Sequence, residues 1–95
     1  MSTTNVLIAG CGYIGAALGA RLAADGYTVW GLRRQARELP PSLHPVEADL
    51  TLPESLHALP RGIDAVFYTA AAHGRTDDAY RAVYVDGVRH LLEAL

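Results

Sequence analysis

The chain has 95 residues, of which 51% are hydrophobic and 19% are charged, and its formal net charge is −2. This length supports one modest hydrophobic core and excludes a second domain. The charge provides no basic field for nucleic acid or for an anionic membrane, so neither partner is expected. Every basic residue is an arginine, which excludes a mechanism that needs a catalytic lysine from this chain.

Cys11 is the single cysteine, so no intrachain disulfide can form and a cytoplasmic location is expected. The apolar run at residues 6–20 has no Lys or Arg before it, is interrupted by glycines and is too short to span a bilayer. We therefore interpret it as a buried strand that continues into a helix, and not as a signal or membrane segment.

The first half of the chain predicts a strand, a helix and a second strand. The strand at residues 5–9 leads into a glycine turn, and the helix at residues 13–24 ends at Asp25-Gly26. A β-rich strand follows at residues 27–32. Two prolines restrict residues 35–44 to at most a short helix and a loop.

The second half continues the alternation. Residues 45–48 predict a third strand, and residues 50–59 predict a helix with a proline near its first turn. The apolar run at residues 63–69 is typical of a strand that is buried on both faces. Residues 76–95 predict a final helix with an irregular start at residues 76–78.

Strands that alternate with helices in this way predict an α/β fold, with a doubly wound parallel sheet between two layers of helices. The four strands are expected in the order 3-2-1-4, with the switch point between the first and the fourth strand. Ligands of such sheets bind at the carboxyl ends of the strands, and the motifs described next all fall there.

Residues 10–15 form a G-x-G-x-x-G pattern between a predicted strand and a predicted helix. We expect Gly10 to make the tight turn, Gly12 to let backbone N–H groups approach a pyrophosphate, and Gly15 to allow close helix–strand packing. The dipole of the helix N-terminus would favour the same anion. A glycine turn without a ligand is the alternative. The candidate residues of this turn are Gly10, Cys11, Gly12, Tyr13, Ile14 and Gly15.

Arg33 and Arg34 end the second predicted strand, where NAD-selective folds of this class place an Asp or Glu that binds the ribose 2′-hydroxyl. A carboxylate there would repel a 2′-phosphate, whereas a guanidinium can bind it bidentately. The pair therefore favours NADP over NAD, with Arg33 as the first contact. A pair of solvated surface arginines is the alternative, and NAD stays open.

Four segments, taken in their order along the chain, resemble the motifs of one protein family. They are Ala-Gly-Cys-Gly-Tyr-Ile-Gly at residues 9–15, Ala-Asp-Leu-Thr at 48–51, Asp-Ala-Val-Phe-Tyr-Thr-Ala-Ala at 64–71 and Tyr-Val-Asp-Gly-Val-Arg-His-Leu-Leu-Glu-Ala at 84–94. Together they resemble the amino-terminal half of extended or atypical short-chain dehydrogenases/reductases, and most closely the NAD-dependent epimerase/dehydratase (nucleoside-diphosphate-sugar epimerase) group. The resemblance implies a Rossmann fold, with one NAD(P)-binding domain at residues 1–95 that stops before the fifth strand.

The resemblance also implies further cofactor contacts. Asp49 and Leu50 match the acidic–hydrophobic pair that contacts adenine in this family, although Asp49 can equally be a helix N-cap. The small residues that line the ribose on the nicotinamide side are matched by Ala70, Ala71 and Ala72. Two departures favour an atypical subgroup: Ala9 replaces the first family glycine, and residues 84–90 depart from Asn-Val-x-Gly-Thr-x-Asn.

The family's chemistry uses a Tyr-x-x-x-Lys pair together with a Ser or Thr, and the lysine lowers the pKa of the tyrosine so that it acts as general acid and base. Because the chain has no lysine, we expect no catalytic residue in it, and its histidines show no metal-ligand spacing. His73 follows the fourth strand and could face a substrate, but a mobile loop without this role is the preferred interpretation.

We therefore expect the dinucleotide-binding, amino-terminal portion of a sugar-nucleotide epimerase, dehydratase or oxidoreductase that is inactive by itself. A sugar nucleotide or another small molecule would be a substrate only of a full-length form, and a homodimer is open. One alternative is a non-catalytic NAD(P) sensor that reports redox state to a partner. An adenosyl-methionine-dependent methyltransferase is disfavoured, because no acid ends the second strand.

Overall fold

The computed structural model of the chain describes residues 4–35, 38–72 and 74–95. One parallel sheet in the order β3-β2-β1-β4 runs through it, which confirms the predicted doubly wound α/β architecture. Its strands are β1 (Asn5–Ala9), β2 (Thr28–Arg33), β3 (His44–Glu47) and β4 (Ala65–Tyr68).

Helices lie in two of the connections between the strands and after the last strand. Helix α1 (Tyr13–Ala24) joins β1 to β2, and a 3₁₀ helix (Pro53–Ala58) lies between β3 and β4. After β4 the chain forms α2 (Asp77–Arg81), a π-helical turn (Ala82–Gly87) and α3 (Val88–Ala94). The backbone angles at both junctions are helical, so these last three elements form one continuous helix. Within the described ranges, no helix has the length and apolar character that crossing a membrane requires.

The two faces of the sheet pack against different helices, because successive side chains of a strand point to opposite faces. Val6 and Ile8 of β1 belong to the cluster that packs under α1, together with the buried Cys11. Leu7 and Ala9 point to the other face. The buried residues of that second face come from β2, β3 and both remaining helical elements, and they include Leu32, Val46, Leu56 and Leu91.

The bounds of β1 and α1 are those predicted, but the start and end predicted for the helix at residues 50–59 are wrong, and this helix is a 3₁₀ helix. A residue that precedes a proline is disfavoured in the α region, and Leu52 is extended with φ −116° and ψ 93°. The chain therefore turns before the helix begins, with Leu52 N donating to the Asp49 carbonyl at 3.0 Å. A short 3₁₀ helix starts only at Pro53.

The predicted burial of the fourth strand on both faces is also wrong. β4 is the edge strand of the described sheet, paired with β1 alone. Val66 is 38% exposed and Phe67 is 41% exposed. The strand is apolar throughout, and within the described residues only one of its edges is paired.

The last helix starts regularly, against the prediction, and its irregularity lies further on. Thr76 is the N-cap, with its Oγ1 accepting from Ala79 N at 3.1 Å. The π-helical turn follows one turn later. There the Tyr68 hydroxyl donates to the Val83 carbonyl at 2.6 Å, and a Cβ on Gly87 would lie 2.6 Å from that hydroxyl oxygen. Tertiary contact with β4 therefore accompanies the irregular segment.

Candidate cofactor-binding site

The turn between β1 and α1 is tied to both strands that flank β1. Gly10 N and Cys11 N both donate to the Leu32 carbonyl of β2, at 3.0 and 2.7 Å. On the β4 side, Thr69 N donates to the Ala9 carbonyl at 2.9 Å, and Thr69 Oγ1 donates to the Gly10 carbonyl at 3.0 Å. These bonds hold the turn at the carboxyl end of β1, with β2 on one side and β4 on the other. This position is beside the switch point of the sheet, which lies between β1 and β4.

Gly10 and Gly15 lie where no side chain fits. Gly10 has φ +79°, and a Cβ there would lie 2.4 Å from both Cα and Cβ of Ala70. A Cβ on Gly15 would lie 2.6 Å from Thr69 Oγ1 and 2.9 Å from Ile8 Cγ2. The close approach of the turn to Ala70 therefore depends on Gly10, and the close approach of α1 to the sheet depends on Gly15.

Gly12 differs from its neighbours because, among residues 4–35, 38–72 and 74–95, a Cβ there would meet no atom within 4 Å. It is the N-cap residue of α1, and no side chain of these residues caps the helix. Gly12 N donates to the Gly10 carbonyl at 2.8 Å, and the first intrahelical bond runs from Ala16 N to the Gly12 carbonyl at 2.8 Å. The N–H groups of residues 13–15 therefore precede the helical ladder. Open space, these amides and the helix dipole meet beside Gly12, and this arrangement fits a bound phosphate group.

The two large side chains of the same turn are exposed, Tyr13 by 93% and Ile14 by 75%. Cys11 is fully buried between the sheet and α1. Burial raises the pKa of the Cys11 thiol above its ordinary value, and the nearby Arg33 guanidinium lowers it to a smaller extent. A neutral, buried thiol is a poor nucleophile, so Cys11 has a packing role.

A cavity of about 510 Å³ extends from Gly12 along the exposed side of α1 to the end of β2. Its far wall contains Arg33, Glu38 and Pro40. The Arg33 Nη2 and Glu38 Oε2 atoms are 3.1 Å apart, and the two side chains are 31% and 51% exposed. Arg34 follows in sequence and is exposed. Gly12 and Tyr13 of the glycine turn therefore line the same cavity as Arg33.

Asp49 and Leu50 follow β3, but their side chains have structural contacts. Asp49 Oδ1 accepts from Thr51 N at 2.9 Å and from Thr51 Oγ1 at 2.7 Å. It therefore stabilises the turn before the 3₁₀ helix, whose N-cap is Leu52. Leu50 is 8% exposed and packs in the core. The contact of this pair with adenine stays a prediction.

The small residues after β4 lie beside the glycine turn. Ala70 is half-buried against Gly10, Ala71 is exposed and Ala72 is half-buried. His73 lies outside the described residues. Among residues 4–35, 38–72 and 74–95, no three His, Cys, Asp or Glu side chains are grouped so that they could hold a metal ion.

Two site residues escape prediction from the sequence. Thr69 directly follows β4 and looks like one more β-former, and only the parallel pairing of β4 with β1 brings its hydroxyl to the Gly10 carbonyl. Glu38 lies in a proline-flanked loop without periodicity, and nothing in the sequence indicates that the loop folds back onto Arg33. One observation could have indicated Glu38. Because the end of β2 has no acidic residue, a carboxylate from another segment could be expected near that position.

Comparison with known proteins agrees with this arrangement. The sequence model of the NAD dependent epimerase/dehydratase family matches residues 6–95. Among proteins of curated function, none matches the sequence at a significant level.

Solved structures match nearly the whole chain. A provisionally assigned NAD-dependent epimerase/dehydratase from Methylobacillus flagellatus is 37% identical over 99% of this chain and 33% of its own, with a TM-score of 0.76. A short-chain dehydrogenase/reductase superfamily protein from Agrobacterium tumefaciens with bound NAD is 30% identical over 95% of this chain and 28% of its own, with a TM-score of 0.74.

The Bordetella bronchiseptica enzyme WbmH in complex with NAD⁺ is 28% identical over 98% of this chain and 35% of its own, with a TM-score of 0.75. The present chain thus spans about a third of the length of these solved structures.

Proposed function

Because the chain belongs to the NAD dependent epimerase/dehydratase family, we propose that it binds a nicotinamide dinucleotide at the carboxyl ends of its strands, with NADP preferred over NAD. The observation that carries the proposal is the space beside Gly12, which is the N-cap residue of α1 and has no side-chain cap hydrogen bond. An anion held there gains hydrogen bonds and the favourable end of the helix dipole without displacing any protein atom.

In this proposal the glycine turn binds the pyrophosphate, and the cavity between α1 and β2 receives the adenosine ribose. Arg33 lies on that cavity and would bind a 2′-phosphate, which supports NADP. Asp49 and Leu50 would border the adenine. The ribose on the nicotinamide side would be bordered by Ala70, Ala71 and Ala72.

We further propose that residues 1–95 form the NAD(P)-binding portion of a cytoplasmic epimerase, dehydratase or oxidoreductase that acts on a sugar nucleotide or another small molecule. The bound dinucleotide supplies the hydride acceptor or donor for such reactions. This chain contributes binding and orientation. It contains no lysine for a Tyr-x-x-x-Lys pair, which supports placing the acid–base groups outside residues 1–95.

The substitution Gly12→Ala tests the binding proposal. Its methyl group meets no protein atom, so we expect the free energy of unfolding to fall by less than about 1 kcal/mol. The same methyl group occupies the space assigned to the pyrophosphate, so NADPH should bind at least roughly tenfold more weakly, about 1.4 kcal/mol. Calorimetric titration and urea unfolding measure the two effects separately.

Gly26→Ala is the matched control. Gly26 lies at the far end of α1 and also has no atom within 4 Å of an added Cβ, but its φ is +98°. This variant should lose stability and keep its affinity for NADPH, the reverse of Gly12→Ala. The proposal fails if the wild-type protein binds neither NADPH nor NADH, or if Gly12→Ala binds NADPH as tightly as the wild-type protein.

A further inference from the structure

We infer that Glu38 is a specificity-determining residue, whose carboxylate sets the balance between NADP and NAD by competing with a 2′-phosphate for Arg33. The inference rests on the proposed function, because it concerns the cavity assigned to the adenosine ribose. The sequence indicates only arginines at the end of β2. The inference adds the acidic residue Glu38 to that part of the candidate site.

The contact that carries the inference is the ion pair at the rim of the cavity. Arg33 Nη2 lies 3.1 Å from Glu38 Oε2, and both side chains line the same cavity as Gly12. Each side chain is partly exposed, so the pair is hydrated and its net strength is small, about 0–1 kcal/mol. A pair this weak holds the guanidinium in place and still allows a phosphate to displace the carboxylate.

The packing of the next residue keeps Glu38 at this rim. Leu39 is half-buried and packs against the cluster under α1. Its Cδ1 lies 2.9 Å from the position that a Cβ on Gly31 would take, directly over β2. Leu43 is buried in the same cluster, and its N–H donates to the Pro40 carbonyl at 3.1 Å. The segment that follows Glu38 is therefore anchored over the strand that carries Arg33.

The two possible ribose substituents interact with this pair in opposite ways. A 2′-hydroxyl can donate a hydrogen bond to the Glu38 carboxylate, which favours NAD. A 2′-phosphate is strongly negative and only accepts hydrogen bonds, so Glu38 repels it while Arg33 attracts it. Glu38 therefore weakens the NADP preference that Arg33 alone would give.

The substitution Glu38→Gln tests this assignment, because glutamine keeps the length of the side chain and removes its charge. NADPH and NADH are each titrated calorimetrically into the wild-type protein and the variant. We expect the ratio of NADPH affinity to NADH affinity to rise roughly three- to tenfold, the range expected for one partly exposed charge. The rise should shrink at high salt, because the charges involved are hydrated.

Glu93→Gln is the control for net charge. It makes the same charge change on α3, outside the residues that line the ribose cavity. Its affinity ratio should equal that of the wild-type protein. An unchanged ratio in Glu38→Gln, or an equal rise in Glu93→Gln, would overturn the role of Glu38.

The outcomes separate this inference from the proposed function. If the wild-type protein binds neither dinucleotide, the proposed function fails and the inference fails with it. If the wild-type protein binds NADH at least as tightly as NADPH, the NADP preference is wrong. A rise of the ratio in Glu38→Gln would then still support the role of Glu38.

Discussion

The glycine turn at residues 10–15 and the rim of the cavity at Arg33 and Glu38 are two ends of one candidate site, and different interactions determine their structures. At the turn, backbone atoms and short side chains approach within van der Waals contact, so that Gly10 and Gly15 have no room for a methyl group. At the rim, Arg33 and Glu38 meet through partly hydrated charges. Close packing therefore determines the structure of the turn, whereas the interaction at the rim is electrostatic.

This difference predicts how each end responds to change. A steric fit is lost at once when an atom is added, because packed atoms cannot yield without moving the strands behind them. A hydrated ion pair changes gradually with charge and with salt. Evolution of cofactor preference in this chain should therefore act on the rim and leave the turn unchanged.

The largest expected effect comes from Gly10→Ala. The new Cβ would lie 2.4 Å from Ala70, in a backbone conformation with φ +79° that alanine disfavours. We expect the free energy of unfolding to fall by roughly 3 kcal/mol or more, measured by urea unfolding. Gly26→Ala has the strained φ without the clash and should lose only about 1 kcal/mol. Equal losses in both variants would remove the steric basis of the comparison.

A smaller effect is expected at the rim, from Arg33→Gln. This substitution removes the cation assigned to the 2′-phosphate and leaves Glu38 there as the only charge of the pair. NADPH should bind about tenfold more weakly, about 1.4 kcal/mol, while NADH changes little. Titrations at low and high ionic strength should show the difference between the wild-type protein and the variant decreasing with salt. Equal weakening of NADPH and NADH would contradict the assignment of Arg33 to the 2′-phosphate.

A slightly smaller effect is expected for Thr69→Val, which keeps the shape of the side chain and removes the hydrogen bond to the Gly10 carbonyl. The free energy of unfolding should fall by about 1 kcal/mol. Thermal or urea unfolding measures it. Thr69→Ser keeps the hydroxyl group and should retain NADPH affinity better than Thr69→Val. If valine and serine behave alike, the hydroxyl does not hold the turn.

The smallest effect is expected for Arg21→Gln. Arg21 pairs with Asp25 at 3.4 Å near the end of α1, and the two side chains are 80% and 52% exposed. The free energy of unfolding should change by less than about 0.5 kcal/mol, and NADPH affinity should not change. A larger effect of this exposed pair would mean that hydrated charges contribute more in this protein than the rim comparison assumes.

Much of the fold follows from the sequence. The apolar residues of β1, the glycines that end it and the Asp25-Gly26 stop after α1 specify these bounds locally. The order of the strands follows from the alternation of elements, because right-handed crossovers leave few topologies. The G-x-G-x-x-G pattern directly follows the apolar residues of β1 in the sequence, so the glycine turn lies at the carboxyl end of that strand.

The errors have local as well as tertiary causes. The 3₁₀ helix at Pro53–Ala58 starts late because Leu52 is extended before Pro53 and because Ser55 Oγ, which donates to the Asp49 carbonyl at 2.9 Å, holds the turn before the helix. The π-helical turn at Ala82–Gly87 accompanies a hydrogen bond from Tyr68, a residue on a different element. Burial raises the pKa of that hydroxyl, so it stays protonated and able to donate to higher pH than an exposed tyrosine would.

The sequence by itself determined the class of fold, the sheet order and the position of the glycine turn, because these depend on periodicity, on glycines and on chain connectivity. Only the tertiary structure decided which groups face one another across the site. Thr69 reaches Gly10 through strand pairing, and Glu38 reaches Arg33 because Leu39 packs onto β2. These contacts join residues on separate elements, so they depend on how the elements pack against one another. The spacing of residues along the chain does not specify that packing.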